Sequence, residues 1–189
     1  MDHPVGDAVA RNLRRQRTDR GWSLDTLARR AGVSKGLLVQ IEQGQGNPSL
    51  TTLVRLSDAF GITIAQLVEG HRRSDAQLVR EGEAVVLWSD EQGSAGELLL
   101  GLDRREHVEL WRWRLAPGAA HRSESHLAGT REMVYVTGGR LTLELDGDAH
   151  VLAPGDAFHY ASDRSHTYRN AGSDVARFEM VVIMPADAP

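Results

Sequence analysis

Two tryptophans alternate with two arginines in the segment from Trp111 to Arg114. Because successive side chains of a β-strand point to opposite faces, a strand here would have one aromatic face and one cationic face. An aromatic face turned inward would suit an apolar or cationic ligand, and an arginine face would suit a carboxylate or a phosphate. Both choices stay open at this stage, as does a third in which Trp111 and Trp113 serve core packing alone.

The same alternation groups polar and apolar side chains further along the chain. It puts Tyr168 on the face of His166, and it puts Val134 and Val136 on the face of Glu132. The sequence has no cysteine, which excludes disulfides and thiolate metal ligands.

Short strand-like runs separated by turns fill the last two thirds of the sequence. Many short strands at regular spacing, with no helix of useful length between them, predict an all-β sandwich or barrel. The runs are 85–88, 98–100, 108–115, 133–136, 140–145 and 175–184. The turns fall at Pro117-Gly118, Gly138-Gly139, Asp146-Gly147-Asp148 and Pro154-Gly155-Asp156.

The first third of the sequence has a different period. Apolar residues recur at intervals of three and four from Ala8 to about Leu67, which indicates helices. Capping residues and glycines interrupt this pattern, so that five short helices are predicted. The interruptions are Gly21, Ser23, Gly32, Ser34, Gly44 and Gly61.

The segment from Leu24 to Gln43 meets the constraints of a helix-turn-helix. Ala28 is small where the two helices would cross, and Gly32 can take the positive φ that the turn demands. Over residues 8–69 the chain resembles the XRE family of phage-repressor-like DNA-binding domains. The matching positions are Ser23, Leu27, Ala28, Ala31, Gly32, Val33, Ser34, Ile41, Glu42, Gly44, Asn47, Pro48, Ser49 and Leu53.

This resemblance implies that the helix from Ser34 to Gln43 enters the major groove of DNA. Lysine can bond guanine, glutamine can pair with adenine, and leucine can contact a thymine methyl group. The residues implied to read bases, after the capping Ser34, are Lys35, Gly36, Leu37 and Gln40. The residues implied to contact phosphates are Ser23, Asn47 and the arginines of the first helix, Arg11, Arg14, Arg15 and Arg17.

The second part of the chain resembles the cupins, a jelly-roll family, over roughly residues 77–186. The residues that carry the resemblance are Pro117-Gly118, His126, Glu132, Gly138, Pro154-Gly155-Asp156, His166 and Asn170. A cupin metal site is usually built from a His-x-His pair, a glutamate and a further histidine. The resemblance therefore implies that His126, Glu132 and His166 could hold Fe, Mn, Ni or Zn.

This sequence departs from the cupin ligand set at one position, because Ala128 stands where the second histidine is expected. Three ligands could still bind a metal, or the same groups could bind an organic ligand directly beside Trp111, Trp113 and Tyr168. A third alternative is that the histidines lie on the surface or are satisfied in the core. His121 and Glu124 could supply a substitute ligand, but we expect both to be solvated loop residues.

Composition and charge set the outline of the molecule. The 189 residues carry a net charge of −4, and the charge divides into +2 over residues 1–69 and −6 over residues 70–189. A charge of +2 is small for a DNA-binding domain, so a dimer on a two-part site is expected. Lys35 is the single lysine, and it lies where base contacts are implied.

The polar segment from His71 to Asp75 coincides with the change of period. It places a DNA-binding domain at 1–70, a linker at 71–76 that includes Arg72 and Arg73, and a ligand-sensing domain at 77–189. The longest apolar run has five residues, which excludes a membrane-spanning helix, and the N-terminus lacks the order of a secretory signal. A cytoplasmic location is expected.

The predicted fold class is an α+β multidomain protein, with an all-α five-helix helix-turn-helix domain followed by an all-β cupin (jelly-roll) barrel. This order is similar to that of XRE–cupin transcriptional regulators, which implies a dimer that binds a double-stranded DNA operator and responds to a small-molecule effector. One alternative is a metal-dependent cupin enzyme, resembling iron epoxidases, with a helical appendage. Another is that the helical domain binds a protein instead of DNA.

Overall fold

A computed structural model describes residues 4–45, 47–69, 76–103 and 106–185. The chain divides into two compact units between Gln77 and Leu78. Apart from Ala76, the predicted linker with Arg72 and Arg73 lies outside the described residues. No helix in the described part of the chain is long and apolar enough to span a membrane.

The described part of the first unit contains five helices. They are α1 (Pro4–Asp19), α2 (Leu24–Ala31), α3 (Lys35–Glu42), α4 (Leu50–Phe60) and α5 (Ile64–Val68). Leucines that the helical period placed on one face are almost fully buried, and they form the core of this unit. These leucines are Leu13, Leu27, Leu38, Leu53, Leu56 and Leu67.

The predicted helix boundaries of this unit are confirmed by its caps. Ser23 and Ser34 begin α2 and α3, and each side-chain oxygen accepts a hydrogen bond from a backbone N–H in the first turn. Gly32 and Gly61 end α2 and α4 in the left-handed conformation. Glycine adopts that conformation without steric cost, so the chain turns sharply from α2 into α3.

The second unit is built from ten strands in the described residues. They are β1 (Val85–Ser89), β2 (Ala95–Asp103), β3 (Glu106–Leu115), β4 (Ala120–Ser123), β5 (Arg131–Gly138), β6 (Leu141–Leu145), β7 (Asp148–Leu152), β8 (Ala157–Ala161), β9 (His166–Arg169) and β10 (Ala176–Pro185). One sheet has the order β1-β2-β3-β10-β5-β8, and the other has the order β4-β9-β6-β7. All strand pairs are antiparallel.

The buried faces of the two sheets contact each other through aromatic rings. Trp113 of the larger sheet lies 6.1 Å, between ring centroids, from Tyr168 of the smaller sheet. Phe178 of β10 lies 5.4 Å from Tyr168 and nearly parallel to Trp113. A five-helix domain followed by an all-β unit of two packed antiparallel sheets confirms the predicted fold class.

Candidate functional site

Helix α3 presents its first turn to solvent. The Ser34 hydroxyl accepts a hydrogen bond from the backbone N–H of Leu37 at 3.1 Å, which fixes the start of the helix. Ser34, Lys35 and Gly36 are exposed, and so is Gln40 one turn later, whereas Leu37 is half-buried. The side chains that the sequence assigned to base reading thus lie together on one accessible stretch of α3.

Lys35 forms an ion pair with Asp25 of α2, with 2.9 Å between Nζ and Oδ2. Both side chains are more than half exposed, at 55% and 59%. An exposed pair of this kind is weak, so the lysine can exchange Asp25 for another acceptor at little cost. The sequence did not single out Asp25.

The side chains assigned to phosphate contacts divide into two groups. Arg11, Arg14, Arg15, Ser23 and Asn47 are exposed. Arg17 instead donates two hydrogen bonds to the carboxylate of Glu42, at 2.6 and 2.9 Å, and a third to the carbonyl oxygen of Trp22. The guanidinium of Arg17 is therefore engaged in joining α1 to α3.

The barrel gathers His126, Glu132 and His166 into one cluster. Their ligand atoms all lie within 4.8 Å of one another. Glu132 lies on β5 and is 1% exposed, His166 begins β9 and is 2% exposed, and His126 precedes β5. The backbone N–H of His126 donates to the carbonyl oxygen of Ser162 at 3.0 Å, which ties its loop to the segment that leads into β9.

A hydrogen bond from Nδ1 of His166 fixes which of its two ring nitrogens faces the cluster. Nδ1 lies 3.0 Å from the carbonyl oxygen of Arg164, an acceptor, so Nδ1 carries the proton. The lone pair is then on Nε2, which is buried, has no hydrogen-bond partner among the described residues, and lies 3.6 Å from a Glu132 oxygen. A neutral imidazole oriented by a backbone carbonyl is the form in which histidine binds metals.

Glu132 receives several hydrogen bonds inside the barrel. His126 Nε2 lies 3.0 Å from Oε1, and the hydroxyls of Tyr160 and Tyr168 both contact Oε2. Burial by itself would raise the pKa of Glu132, but hydrogen bonds from His126 and Tyr160, together with the charge of the two imidazoles when they are protonated, outweigh it and lower the pKa to about 2. Glu132 is therefore an anion at neutral pH.

Burial also shifts the pKa of three neighbours of Glu132, namely His166, Tyr160 and Tyr168, toward their uncharged forms. It lowers the pKa of His166, against the opposing effect of the Glu132 carboxylate. It raises the pKa of both tyrosine hydroxyls, and the charge of Glu132 raises them further. The Glu132 carboxylate and the imidazoles of His126 and His166 offer ligand atoms that fit a divalent cation, and with the two tyrosine hydroxyls as hydrogen-bond donors they also fit a polar organic ligand.

Tyr160 was not found by sequence reasoning. It lies on β8 directly opposite Glu132 of β5 in the antiparallel register. Its distance of 28 residues from Glu132 along the chain carries no periodic signal. Only the pairing of the two strands would have indicated it.

One expectation about the ligand set is corrected by the structure. His121 is not a solvated loop residue: it lies on β4, is 9% exposed, and packs against the rings of Trp88 and Trp113 at 4.7 and 4.8 Å. Ala128, which stands where the second cupin histidine is expected, is exposed. Glu124 is exposed, as expected.

The faces of β3 are now distinguished. Trp111 and Trp113 point inward and are each 2% exposed, whereas Arg112 bonds Glu97 and Arg114 bonds a backbone carbonyl on the outer side. The barrel interior is therefore aromatic and not cationic. Trp113 packs against Trp88, Trp111, His121, Tyr168 and Phe178, so its role in the structure is packing.

The fold and the site define a protein that joins a helix-turn-helix domain to a cupin barrel with a polar cluster. The family model described as helix-turn-helix matches residues 13–67, and the one described as cupin domain matches residues 111–184. The HTH-type transcriptional regulator SutR of Escherichia coli K12 is 29% identical over 178 residues, which are 94% of this chain and 95% of SutR.

Two further relatives agree with this assignment. The HTH-type transcriptional regulator SinR of Bacillus licheniformis is 32% identical over 81 residues, covering 41% of this chain and 73% of SinR. The crystal structure of an HTH_3 family transcriptional regulator from Vibrio cholerae matches with a TM-score of 0.77 and 26% identity, covering 96% of this chain and 97% of that chain. The chain belongs to the XRE-type helix-turn-helix transcriptional regulators that carry a cupin domain.

Proposed function

We propose that this regulator recognises a two-part DNA operator as a homodimer, through α3, and that its cupin barrel binds a small-molecule effector. The observation that carries the DNA half is the exposed first turn of α3. Lys35 and Gln40 project from an accessible helix that begins at a capped serine, and their side chains suit guanine and adenine edges.

Arg14, Ser23 and Asn47 supply the proposed phosphate contacts. All three are exposed, and Ser23 lies at the N-terminus of α2, where backbone N–H groups favour an anion. Phosphate contacts set the position of the protein on the duplex, whereas Lys35 and Gln40 distinguish sequences. With a charge of only +2 over residues 1–69, one copy would bind weakly, and two copies on adjacent half-sites would add their contacts.

The effector half rests on the cluster of His126, Glu132 and His166. The orphaned Nε2 of His166 is the observation that fits a divalent cation such as Fe, Mn, Ni or Zn, since a buried lone pair without a partner is costly. Such a cation would be held by these three residues, and it would offer open coordination positions to an oxygen or nitrogen donor of the effector. Tyr160 and Tyr168 keep the Glu132 carboxylate in place.

The two halves communicate by linkage in this proposal. An effector that prefers one arrangement of the dimer shifts the population in which the two α3 helices match the half-site spacing. Effector and operator must then change each other's affinity by the same factor.

The test is a titration of the duplex upstream of the protein's own gene, followed by fluorescence anisotropy. The protein is first stripped with a chelator and then loaded in separate samples with Zn²⁺, Mn²⁺, Ni²⁺ or Fe²⁺, with and without pooled cellular metabolites. Operator affinity that depends on the bound metal or metabolite, lost in Gln40→Ala but kept in the barrel variant Arg140→Ala, would support the proposal. Operator affinity that no metal and no metabolite changes would contradict the effector half.

The alternatives give different results in the same samples. The cluster would also serve a metal-dependent cupin enzyme, which predicts stoichiometric iron in the purified protein and no dependence of DNA binding on that iron. A helical domain that binds a protein partner predicts no salt-dependent binding to any duplex.

A further inference from the structure

The outer side of the six-stranded sheet carries an exposed apolar patch, which we call the β5–β10 face. Met133 and Tyr135 of β5 are 45% and 50% exposed, and Val181 of β10 lies beside them. A groove of about 290 Å³ runs across this face. Its lining includes Met133, Tyr135, Ala157, His159, Glu179 and Val181.

Glu179 leaves a polar atom unsatisfied in this groove. Its Oε2 is buried and has no hydrogen-bond partner among the described residues. Arg112 lies opposite Glu179 in the strand register, but its Nε and one terminal nitrogen donate to Glu97, at 2.8 and 2.6 Å. Glu179 is half-buried and lines the groove, so the groove favours a partner that brings a cation for this carboxylate together with apolar surface.

The same face supplies a matching cation. Along β5 and β10 the outward side chains form successive cross-strand pairs, namely Tyr135 with Glu179, Met133 with Val181, and Arg131 with Ile183. The apolar pair is in the middle, with the acidic residue in the pair before it and the exposed Arg131 in the pair after it. The face therefore has opposite charges on the two sides of an apolar centre.

Two-fold symmetry brings these charges together. Suppose that two copies stack face to face, with a two-fold axis that lies between the two sheets and crosses the strands at Met133 and Val181. The Tyr135–Glu179 pair of one copy then faces the Arg131–Ile183 pair of the other. Each interface of this kind is self-complementary, because every contact occurs twice. Arg131 of the second copy would then also lie over the ring of Tyr135, where a guanidinium binds favourably.

We propose that the β5–β10 face is the surface through which two copies of this chain pair, with Arg131 of each copy bonded to Glu179 of the other. This inference rests on the proposed function, because a two-part operator needs a dimer. The occupant is a second copy and not another protein, since the acidic groove and the cation that fits it are on the same face.

The experiment is sedimentation equilibrium of the full chain at several concentrations. We expect the wild type to be a dimer. Met133→Glu puts a charge at the centre of the face, and Glu179→Arg puts like charges together, so each should raise the dimer Kd by at least about 30-fold. Combining Glu179→Arg with Arg131→Glu should restore the dimer, since the charges are exchanged.

Val151→Glu is the matched control. Val151 is 60% exposed on β7 of the other sheet, so its substitution should leave the dimer unchanged. Unchanged circular dichroism would show that the variants remain folded. A monomeric wild type, a dimer that survives both Met133→Glu and Glu179→Arg, or equal disruption by Val151→Glu would overturn the inference.

The failure of this inference and the failure of the proposed function are distinguishable. If the Met133→Glu and Glu179→Arg proteins both stay dimeric and bind the operator, the function remains intact and the interface is overturned. A wild type that dimerises through this face but binds no duplex would support the interface and contradict the function.

Discussion

Nδ1 of His166 lies 3.0 Å from the backbone carbonyl oxygen of Arg164, and this contact orients the imidazole toward Glu132. Because the carbonyl can only accept, the proton is on Nδ1 and the lone pair of Nε2 faces the cluster. A side chain prepared in this way binds a metal without changing its tautomer.

We therefore expect the chelated protein to bind one divalent cation per chain. His166→Asn and Glu132→Gln should each weaken that binding by at least about 100-fold, since loss of a ligand exceeds the effect of losing a supporting hydrogen bond. Isothermal titration with Zn²⁺ and Ni²⁺ measures both. His150→Asn, on β7 and outside the cluster, is the control. Equal loss in the control, or no binding by the wild type, would contradict the assignment.

Lys35 and Arg14 should affect DNA binding in different ways. Lys35→Ala removes a proposed base contact, so it should cost about 1–3 kcal/mol on the operator and reduce discrimination against altered sites. Arg14→Ala removes a phosphate contact, so it should weaken all sequences alike and reduce the slope of log K against log salt by about 1. Anisotropy titrations at several salt concentrations, on operator and scrambled duplexes, separate the two effects. A Lys35→Ala protein that keeps full discrimination would show that this lysine reads no base.

Arg17 and Glu42 should contribute to stability and Lys35 and Asp25 should not. The side chains of Arg17 and Glu42 are 15% and 10% exposed, and two hydrogen bonds join them. Arg17→Ala leaves a mostly buried carboxylate without its partner, so the free energy of unfolding should fall by about 3 kcal/mol. Lys35→Ala breaks an exposed pair and should cost less than about 1 kcal/mol. Urea unfolding followed by the helical circular dichroism signal tests this contrast, and equal losses would contradict it.

The sequence predicted the helices well because their signals are local. The capping serines and the turn glycine each act within a few residues, so Ser34 and Gly32 could be assigned from spacing alone. The strands of the barrel were harder to predict from the sequence. Strands β4 and β9 have four residues each, include charged side chains, and were not found as separate runs.

The candidate site was predicted in part for the same reason. Glu132 and His166 could be named through the cupin resemblance, but the contact of Tyr160 with Glu132 depends on the pairing of β5 and β8. The burial of His121 depends on rings contributed by Trp88 and Trp113, which lie on strands of the other sheet. Contacts between strands distant in the chain leave no periodic mark in the sequence.

Gly96 should be intolerant of any side chain. A Cβ atom at this position would lie 2.6 Å from the ring of Trp113, which is held by aromatic neighbours and cannot move aside. Gly96→Ala should therefore lower the free energy of unfolding of the barrel by about 1–3 kcal/mol. Gly138→Ala is the control, because a Cβ there meets Arg177 at an ordinary 3.8 Å. Tryptophan fluorescence during urea unfolding reports on both, and a Gly96→Ala barrel as stable as the control would show that Trp113 can shift.

His121 should make the barrel less stable in mild acid. Burial, together with the nearby His166, lowers the pKa of His121 to about 4, although Glu132 acts in the opposite direction. An unfolded histidine has a pKa near 6.5. As the pH falls below 6.5, the unfolded chain takes up a proton that the folded chain does not bind until about pH 4, so the folded state loses stability across this range.

Between pH 7.5 and pH 5 this difference should remove about 2 kcal/mol from the free energy of unfolding. His121→Phe keeps an aromatic ring between Trp88 and Trp113 but cannot titrate, so its stability should depend less on pH by that amount. The wild type and His121→Phe, each freed of metal with a chelator, are unfolded in urea at pH 7.5 and pH 5 and followed by tryptophan fluorescence. The change in the free energy of unfolding between the two pH values is then compared between the two proteins. Identical pH dependence would mean that His121 is protonated as readily in the folded barrel as in the unfolded chain, and it would contradict this prediction.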